Sequence, residues 1–91
     1  MSKIKREHEI VNEKGLHARA SAKFVETVDG YDATAEVWNK DMHATGDSIM
    51  GLLMLAASYG TRIIVETSGA QANELADALE ELIKDRFGEE C

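Results

Sequence analysis

An α+β open sandwich, in which helices cover one face of a four-stranded sheet, is the fold class that the sequence predicts. Segments rich in β-branched residues alternate with segments whose apolar residues recur at helical spacing. The predicted order is strand, helix, strand, strand, helix, strand, helix, and packing the helices on one face of the sheet buries every apolar stripe. A chain of 91 residues suits one domain, residues 1–91.

The first strand and the first helix are joined by a loop that contains a glycine. Residues 4–11 alternate loosely between an apolar and a charged side and predict a strand. The loop 12–15 leads into a helix over 18–28, which Gly30 ends. The side of this helix that we expect to be buried comprises Ala18, Ala22, Phe24, Val25 and Val28.

A hairpin and a short apolar helix form the middle of the chain. Strands over 33–38 and 42–44 flank a polar turn. Asp47 or Ser48 can cap the helix that follows, which we expect over 49–57.

The last third of the chain predicts one strand and the most regular helix. Residues 61–67 form a β-branched run with one buried side. Residues 72–83 predict a helix with an apolar stripe opposite an acidic face, and the helix should end near Gly88.

Charge and composition exclude several classes of partner. Seventeen acidic residues against ten basic ones give a net charge of −7, so neither nucleic acid nor an anionic membrane is an expected partner. We find no signal peptide and no apolar run of membrane-spanning length, and the single cysteine, Cys91, cannot form an internal disulfide. These features predict a cytoplasmic protein.

The stretch Gly15–Phe24, GLHARASAKF, holds the candidate chemistry. His17 should lie at or just before the first helical turn, where backbone N–H groups have no partner inside the helix and the helix dipole favours an anion. Arg19 adds a forked cation, and neighbouring Lys14 and Lys23 make a basic spot. Because neutral imidazole is nucleophilic near neutral pH, the pattern predicts a histidine that accepts a phosphoryl group.

The segment 15–19, GLHAR, resembles the active-site signature of HPr, the histidine-containing phosphocarrier family of the bacterial phosphotransferase system. The segment 47–51, DSIMG, resembles the regulatory serine segment of the same family, and the likeness extends over residues 3–87. The resemblance implies a βαββαβα fold with an antiparallel sheet and three helices on one face. It also implies a cytoplasmic relay protein, not an enzyme, and a monomer is the default expectation.

The same resemblance implies a route for the phosphoryl group. It would pass from phosphoenolpyruvate through Enzyme I to Nδ1 of His17, and then to an EIIA-type acceptor. Ala18, Arg19 and Ala20 are the expected phosphate-binding residues. The family usually has proline at the position of Ala20, so we expect a slightly more mobile helix start with phosphoryl acceptance retained.

Ser48 has three interpretations. It can simply cap its helix. In the HPr family, a bifunctional HPr kinase/phosphorylase phosphorylates the corresponding serine, which adds negative charge to a docking surface. The segment 46–49, GDSI, also resembles the phosphopantetheine attachment motif of acyl carrier proteins, but those proteins are helical throughout.

Apolar residues on the second helix form a candidate docking surface. Ile49, Met50 and Leu53 share one side, whereas Leu52 and Leu55 are expected in the core. A non-catalytic protein-binding module that uses this surface is a further hypothesis. The remaining histidines predict no metal or cofactor site, because His8 lies on the apolar side of a strand, His43 is expected at the surface, and no metal-ligand spacing is present.

Overall fold

A computed structural model describes residues 2–91, with side chains from residue 3 onward. The elements follow the predicted order: β1 (Ser2–Glu9), α1 (Ala18–Asp29), β2 (Thr34–Asn39), β3 (Met42–Thr45), α2 (Ile49–Met54), β4 (Arg62–Gly69) and α3 (Ala72–Lys84). A 3₁₀ turn over Arg86–Gly88 follows α3. None of the helices in the described residues is long and apolar enough to cross a bilayer.

The four strands form one sheet in the order β1-β4-β2-β3, and every neighbouring pair is antiparallel. The register places Glu7 opposite Ile64 and Trp38 opposite His43. The predicted α+β open-faced sandwich is confirmed. The acyl carrier alternative is wrong, because an all-helical fold cannot contain this sheet.

One face of the sheet carries the core. Alternate strand residues such as Val37, Ile63 and Val65 are buried there against helical side chains. Helix α3 packs on β1 and β4, and α1 packs against both α2 and α3. Full burial of each large apolar side chain contributes about 1.5–3 kcal/mol. This packing fixes the start of α1 beside α2, where the candidate chemistry lies.

The buried side of α1 differs from the predicted one. Its buried residues are Ala20, Ser21, Phe24 and Val28, whereas Ala18 is exposed and Ala22 and Val25 are half-buried. Ser21 turns inward because its hydroxyl donates to the Leu16 carbonyl oxygen at 3.3 Å. A buried hydroxyl that has a partner costs little, so a polar residue occupies a core position that apolar spacing does not reveal.

Helix α2 is shorter than the predicted 49–57. It ends at Met54, and Ala56 has a φ of 51°, in the left-handed region that ends a helix. The side-chain amide of Asn39 donates to the Leu55 carbonyl oxygen at 2.8 Å. This hydrogen bond satisfies a carbonyl group that a further helical turn would have used.

Candidate phosphoryl-transfer site

The loop between β1 and α1 is fixed from several sides. Gly15 has a φ of 69°, and a Cβ atom there would lie 2.6 Å from the Ala57 carbonyl oxygen. The Leu16 N–H donates to that same oxygen at 2.8 Å. Asn12, which is completely buried, donates from Nδ2 to the Gly15 carbonyl oxygen at 2.8 Å. Glycine is needed here because the chain passes directly against the backbone that follows α2.

His17 is the N-cap residue of α1. Its extended backbone, with φ −78° and ψ −175°, precedes the helix, and its carbonyl oxygen accepts the Ser21 N–H at 2.8 Å. Its ring atom Nδ1 accepts the backbone N–H of Arg19 at 3.2 Å. An imidazole nitrogen therefore occupies the place where serine or aspartate usually caps a helix.

The surroundings of His17 are open to an anion. The His17 side chain is 28% exposed, so the ring is partly shielded but reachable. Within residues 2–91, the guanidinium of Arg19 makes no hydrogen bond or ion pair, and the amides of Ala18 and Ala20 donate to no backbone or side-chain acceptor. Ala18 is exposed, so its unpaired amide, together with the Arg19 guanidinium, suits the oxygens of a phosphoryl group. Ala20 is completely buried, so its amide is not open to solvent.

Glu89 is a site residue that the sequence analysis missed. One carboxylate oxygen, Oε2, contacts Nε2 of His17, and the other, Oε1, accepts from Asn12 Nδ2 at 3.0 Å. Helix α3 ends at Lys84, and the chain then reverses through Arg86 and Phe87, both with positive φ. The one sequence signal was Phe87, an aromatic residue close to the end of the chain that needs a buried place.

The candidate docking residues lie on α2, close to His17. Ile49 and Met50 are exposed by 40% and 69%, whereas Leu53 is half-buried. A shallow groove lined by Leu53, Lys14 and His17 links the helix to the imidazole. Leu52 and Leu55 are in the core, as predicted.

Ser48 caps α2. Its Oγ accepts the Gly51 N–H at 3.0 Å, and its own N–H donates to the Thr45 carbonyl oxygen at 3.2 Å. The side chain is half-buried, and Asp47 beside it is exposed. Of the two candidate caps in the sequence, Ser48 is the one that acts.

The other two histidines lie outside this site. His8 is 8% exposed on the inner face of the sheet, where burial lowers its pKa; nearby Glu80 opposes this effect, and Arg6 and Lys84 add to it. His43 is at the surface, as predicted, but its Nε2 lies 2.6 Å from Glu36, a cross-strand pair that the sequence analysis did not foresee. In the described residues, no group of three His, Cys, Asp or Glu side chains could hold a metal ion.

Comparisons with known proteins agree with this geometry. Residues 4–85 match the family model described as the PTS HPr component phosphorylation site. Phosphocarrier protein HPr of Neisseria meningitidis serogroup A is 48% identical over 86 residues, which cover 94% of this chain and 97% of the relative.

Solved structures give the same result. The crystal structure of HPr-C-His from Thermoanaerobacter tengcongensis superposes with a TM-score of 0.89 and 34% identity, covering 100% of both chains. HPr from Bacillus anthracis str. Ames gives a TM-score of 0.85 with 26% identity, covering 91% of this chain and 99% of its own. With its sheet order, its helix-capping histidine and these relatives, the chain belongs to the HPr family, the phosphocarrier proteins of the phosphotransferase system.

Proposed function

We propose that this phosphocarrier receives its phosphoryl group on Nδ1 of His17. The observation that carries the proposal is the cap geometry: Nδ1 lies at the start of α1 and accepts the backbone N–H of Arg19 at 3.2 Å. The amides of Ala18 and Ala20, which have no acceptor in the described residues, belong to the same first turn. The guanidinium of Arg19 supplies positive charge at the same place. The phosphoryl donor is phospho-Enzyme I, and the acceptor is an EIIA-type protein, all in the cytoplasm.

The chemistry needs little more than positioning. In phosphoryl transfer, a protein contributes alignment of the nucleophile and stabilisation of the charge on the equatorial oxygens. The amides and the dipole of α1 meet those oxygens from one side. The Arg19 guanidinium can bind two of them at once. No metal or cofactor is part of the proposal.

Partners would dock on α2 beside the imidazole. Ile49 and Met50 present apolar side chains to solvent, and Leu53 lines the groove that reaches His17. An exposed apolar patch of this kind suits contact with several different proteins, and methionine adapts to each. Every proposed site residue comes from one chain, so a monomer is sufficient for the relay.

Phosphorylation by Enzyme I tests the proposal. Incubation with Enzyme I and phosphoenolpyruvate should give an acid-labile, alkali-stable phosphate that is absent in the His17→Ala variant. His43→Ala is the matched control, because it removes an exposed histidine from the sheet, and it should be labelled normally. Labelling that persists in His17→Ala would assign the phosphate elsewhere, and a wild-type chain that is never labelled would leave only the non-catalytic binding module.

Regulatory phosphorylation at Ser48 is the second part of the proposal. A phosphate on this half-buried hydroxyl would add about two negative charges next to the exposed residues Ile49 and Met50. It would hinder docking by repulsion without unfolding α2, because a phosphate oxygen can still accept the Gly51 N–H.

A bifunctional HPr kinase/phosphorylase tests this part. Wild-type protein should show a mobility shift that Ser48→Ala lacks, and the exposed Ser58→Ala should shift like wild type. Loss of the Ser48 cap should cost about 1 kcal/mol of unfolding free energy, so the Ser48→Ala variant still folds. A wild-type chain that shows no shift contradicts the proposal.

A further inference from the structure

The last six residues of the chain fold back onto the loop that carries His17. Phe87 is 1% exposed, and its carbonyl oxygen accepts from Lys23 Nζ at 2.6 Å. Further on, the Cys91 carbonyl oxygen accepts the Glu13 N–H at 2.9 Å. Anchors on both sides therefore hold Glu89 next to the imidazole.

The Glu89 carboxylate is oriented by a second contact. Asn12 uses both hydrogens of its Nδ2, one toward the Gly15 carbonyl oxygen at 2.8 Å and one toward Glu89 Oε1 at 3.0 Å. The Glu89 side chain is only 16% exposed. Because Asn12 is completely buried, its amide cannot reorient freely, and it holds Glu89 Oε2 against the ring of His17.

Two contacts select the same tautomer of His17. A backbone N–H can only donate, so Nδ1, which receives the Arg19 N–H, must carry the lone pair. The ring hydrogen then lies on Nε2, which faces the Glu89 carboxylate, an acceptor. Carboxylates and carbonyl groups fix imidazole tautomers in this way at metal and catalytic sites.

We infer that Glu89 is a positioning residue for phosphoryl transfer. It holds His17 in the Nε2–H tautomer, directs the Nδ1 lone pair toward the incoming group, and stabilises the positive charge that the ring acquires when the Nδ1–P bond forms. This inference rests on the proposed role of His17.

The transfer step is balanced without moving a proton. The Nδ1 lone pair forms the bond to phosphorus, and the donor's bond to phosphorus breaks, with its electron pair leaving on the donor. Nε2 keeps its hydrogen, so the ring becomes cationic beside Glu89. In the onward step the Nδ1–P bond breaks, and its electron pair returns to Nδ1. The Arg19 N–H, displaced from Nδ1, is then available to a phosphoryl oxygen.

The charge on Glu89 is suited to this role. Burial by itself acts to raise the pKa of Glu89, but the hydrogen bonds from Asn12 and His17, and the charges of His17 and Lys14, outweigh it. The net direction is a pKa below the ordinary glutamate value. The carboxylate is therefore ionised whenever the carrier works near neutral pH.

The Glu89→Gln variant gives the sharpest test. The Nδ2 group of Asn12 can only donate a hydrogen bond, so the amide oxygen of the new glutamine must face Asn12. The NH₂ group of the glutamine then faces Nε2 of His17. A donor at that place opposes the Nε2–H tautomer. Nitrogen-15 NMR of the unphosphorylated protein should show a single Nε2–H tautomer in wild type and a mixture in the variant. The rate of acceptance from phospho-Enzyme I should fall about tenfold or more.

Matched variants separate positioning from a structural or a charge effect. Glu90→Gln removes the same charge from a neighbouring exposed side chain that makes no hydrogen bond or ion pair in the described part of the chain. It should keep both the tautomer and the rate. Glu89→Asp retains a carboxylate and should recover part of the rate. The unfolding midpoint of each variant shows whether the fold is intact.

The outcomes distinguish the two proposals. If wild type accepts a phosphoryl group on His17, and Glu89→Gln matches it in tautomer and rate, the role of Glu89 is overturned while the role of His17 stands. If Glu90→Gln slows the rate as much as Glu89→Gln, surface charge explains the effect, and the positioning role is again overturned. If His17 is never labelled in wild type, both proposals fail.

Discussion

The side-chain ammonium of Lys23, in α1, donates a hydrogen bond to the Phe87 carbonyl oxygen across 2.6 Å. Phe87 lies in the left-handed region, with a φ of 54°, and its side chain is buried. His17 is the N-cap residue of helix α1, and Lys23, nearly two turns further along the same helix, holds the reversed end of the chain. This link keeps Glu89 within reach of the imidazole.

Replacement of Lys23 by methionine should loosen this end of the chain. The variant keeps the apolar stem but leaves the Phe87 carbonyl group without its charged donor, so the free energy of unfolding should fall by about 1–2 kcal/mol. Urea unfolding measures that loss. Amide hydrogen exchange at Glu89, whose N–H donates to the Arg86 carbonyl oxygen at 2.9 Å, should become faster.

The control for this prediction is Lys3→Met. Lys3 is exposed on β1, and within residues 2–91 its side chain makes no hydrogen bond or ion pair. Its loss should leave stability and exchange at Glu89 unchanged. Equal exchange rates at Glu89 in wild type and Lys23→Met would show that the hydrogen bond does not hold the chain end.

Gly15→Ala should be strongly destabilising. The new Cβ atom would lie 2.6 Å from the Ala57 carbonyl oxygen and 2.9 Å from the Ser58 Cα atom, with the backbone at a φ of 69°. Overpacking costs about 1–3 kcal/mol and the left-handed backbone about 1 kcal/mol more, so we expect a loss of about 2–4 kcal/mol. Thermal or urea unfolding gives the value.

Gly60→Ala separates the two contributions. Gly60 also has a positive φ, 85°, but within the described residues no heavy atom beyond its two chain neighbours lies within 4 Å of the position of its Cβ. Only the backbone cost should remain, about 1 kcal/mol. Similar losses in both variants would mean that the chain around Ala57 yields to the methyl group, and that the close approach is not what requires glycine at position 15.

Local patterns were sufficient for most of the fold. The β-branched run that became β4 and the apolar stripe of α3 were recognised because hydrophobic periodicity reports directly on a buried face. The end of α2 was not predicted correctly, because alanine is a good helix former and no residue near Ala56 indicates its left-handed backbone. The end of α2 is stabilised by the hydrogen bond from Asn39 to the Leu55 carbonyl oxygen, and Asn39 lies 16 residues before Leu55 in the chain.

The candidate site also contains residues that local sequence predicts and one residue that it does not. His17 and Arg19 are neighbours in sequence, so a helix start was enough to place them together. Glu89 lies 72 residues from His17, and its neighbours Gly88, Glu90 and Cys91 form no apolar pattern that predicts a packed segment. Only the tertiary fold, through the buried Phe87 and Asn12, brings that carboxylate to the ring.

Acidification should destabilise the protein through His8. Burial lowers the pKa of His8, so the folded chain binds fewer protons there than the unfolded chain. The contribution of the neutral ring to stability is complete above the ordinary histidine pKa of about 6.5, and it is lost as the pH falls through the lowered pKa of the folded state. Glu80 limits this effect, because its charge favours the protonated ring.

The free energy of urea unfolding, followed from about pH 7.5 to about pH 5, measures this loss. His8→Phe keeps an aromatic ring of similar shape but has no titrating group, so its stability should fall less over the same interval. Met42→Phe is the control, because it places the same new side chain at an exposed position of β3 and removes no titratable group, so it should retain the wild-type slope. Parallel curves for wild type and His8→Phe would contradict the prediction.

Ala20→Pro should retain phosphoryl acceptance while making the start of α1 more rigid. Ala20 lies in the first helical turn, and its N–H donates to no backbone or side-chain acceptor in residues 2–91, so proline removes no helical hydrogen bond and fixes a suitable φ. Ala20→Gly should instead make the start of α1 more mobile, because glycine makes helix formation less favourable by about 1 kcal/mol relative to alanine. Rates of labelling by Enzyme I, with amide exchange at Arg19 as the measure of mobility, compare the two. If the folded proline variant no longer accepts the phosphoryl group, the Ala20 N–H is itself a necessary phosphate ligand, and the cradle depends on more than His17 and Arg19.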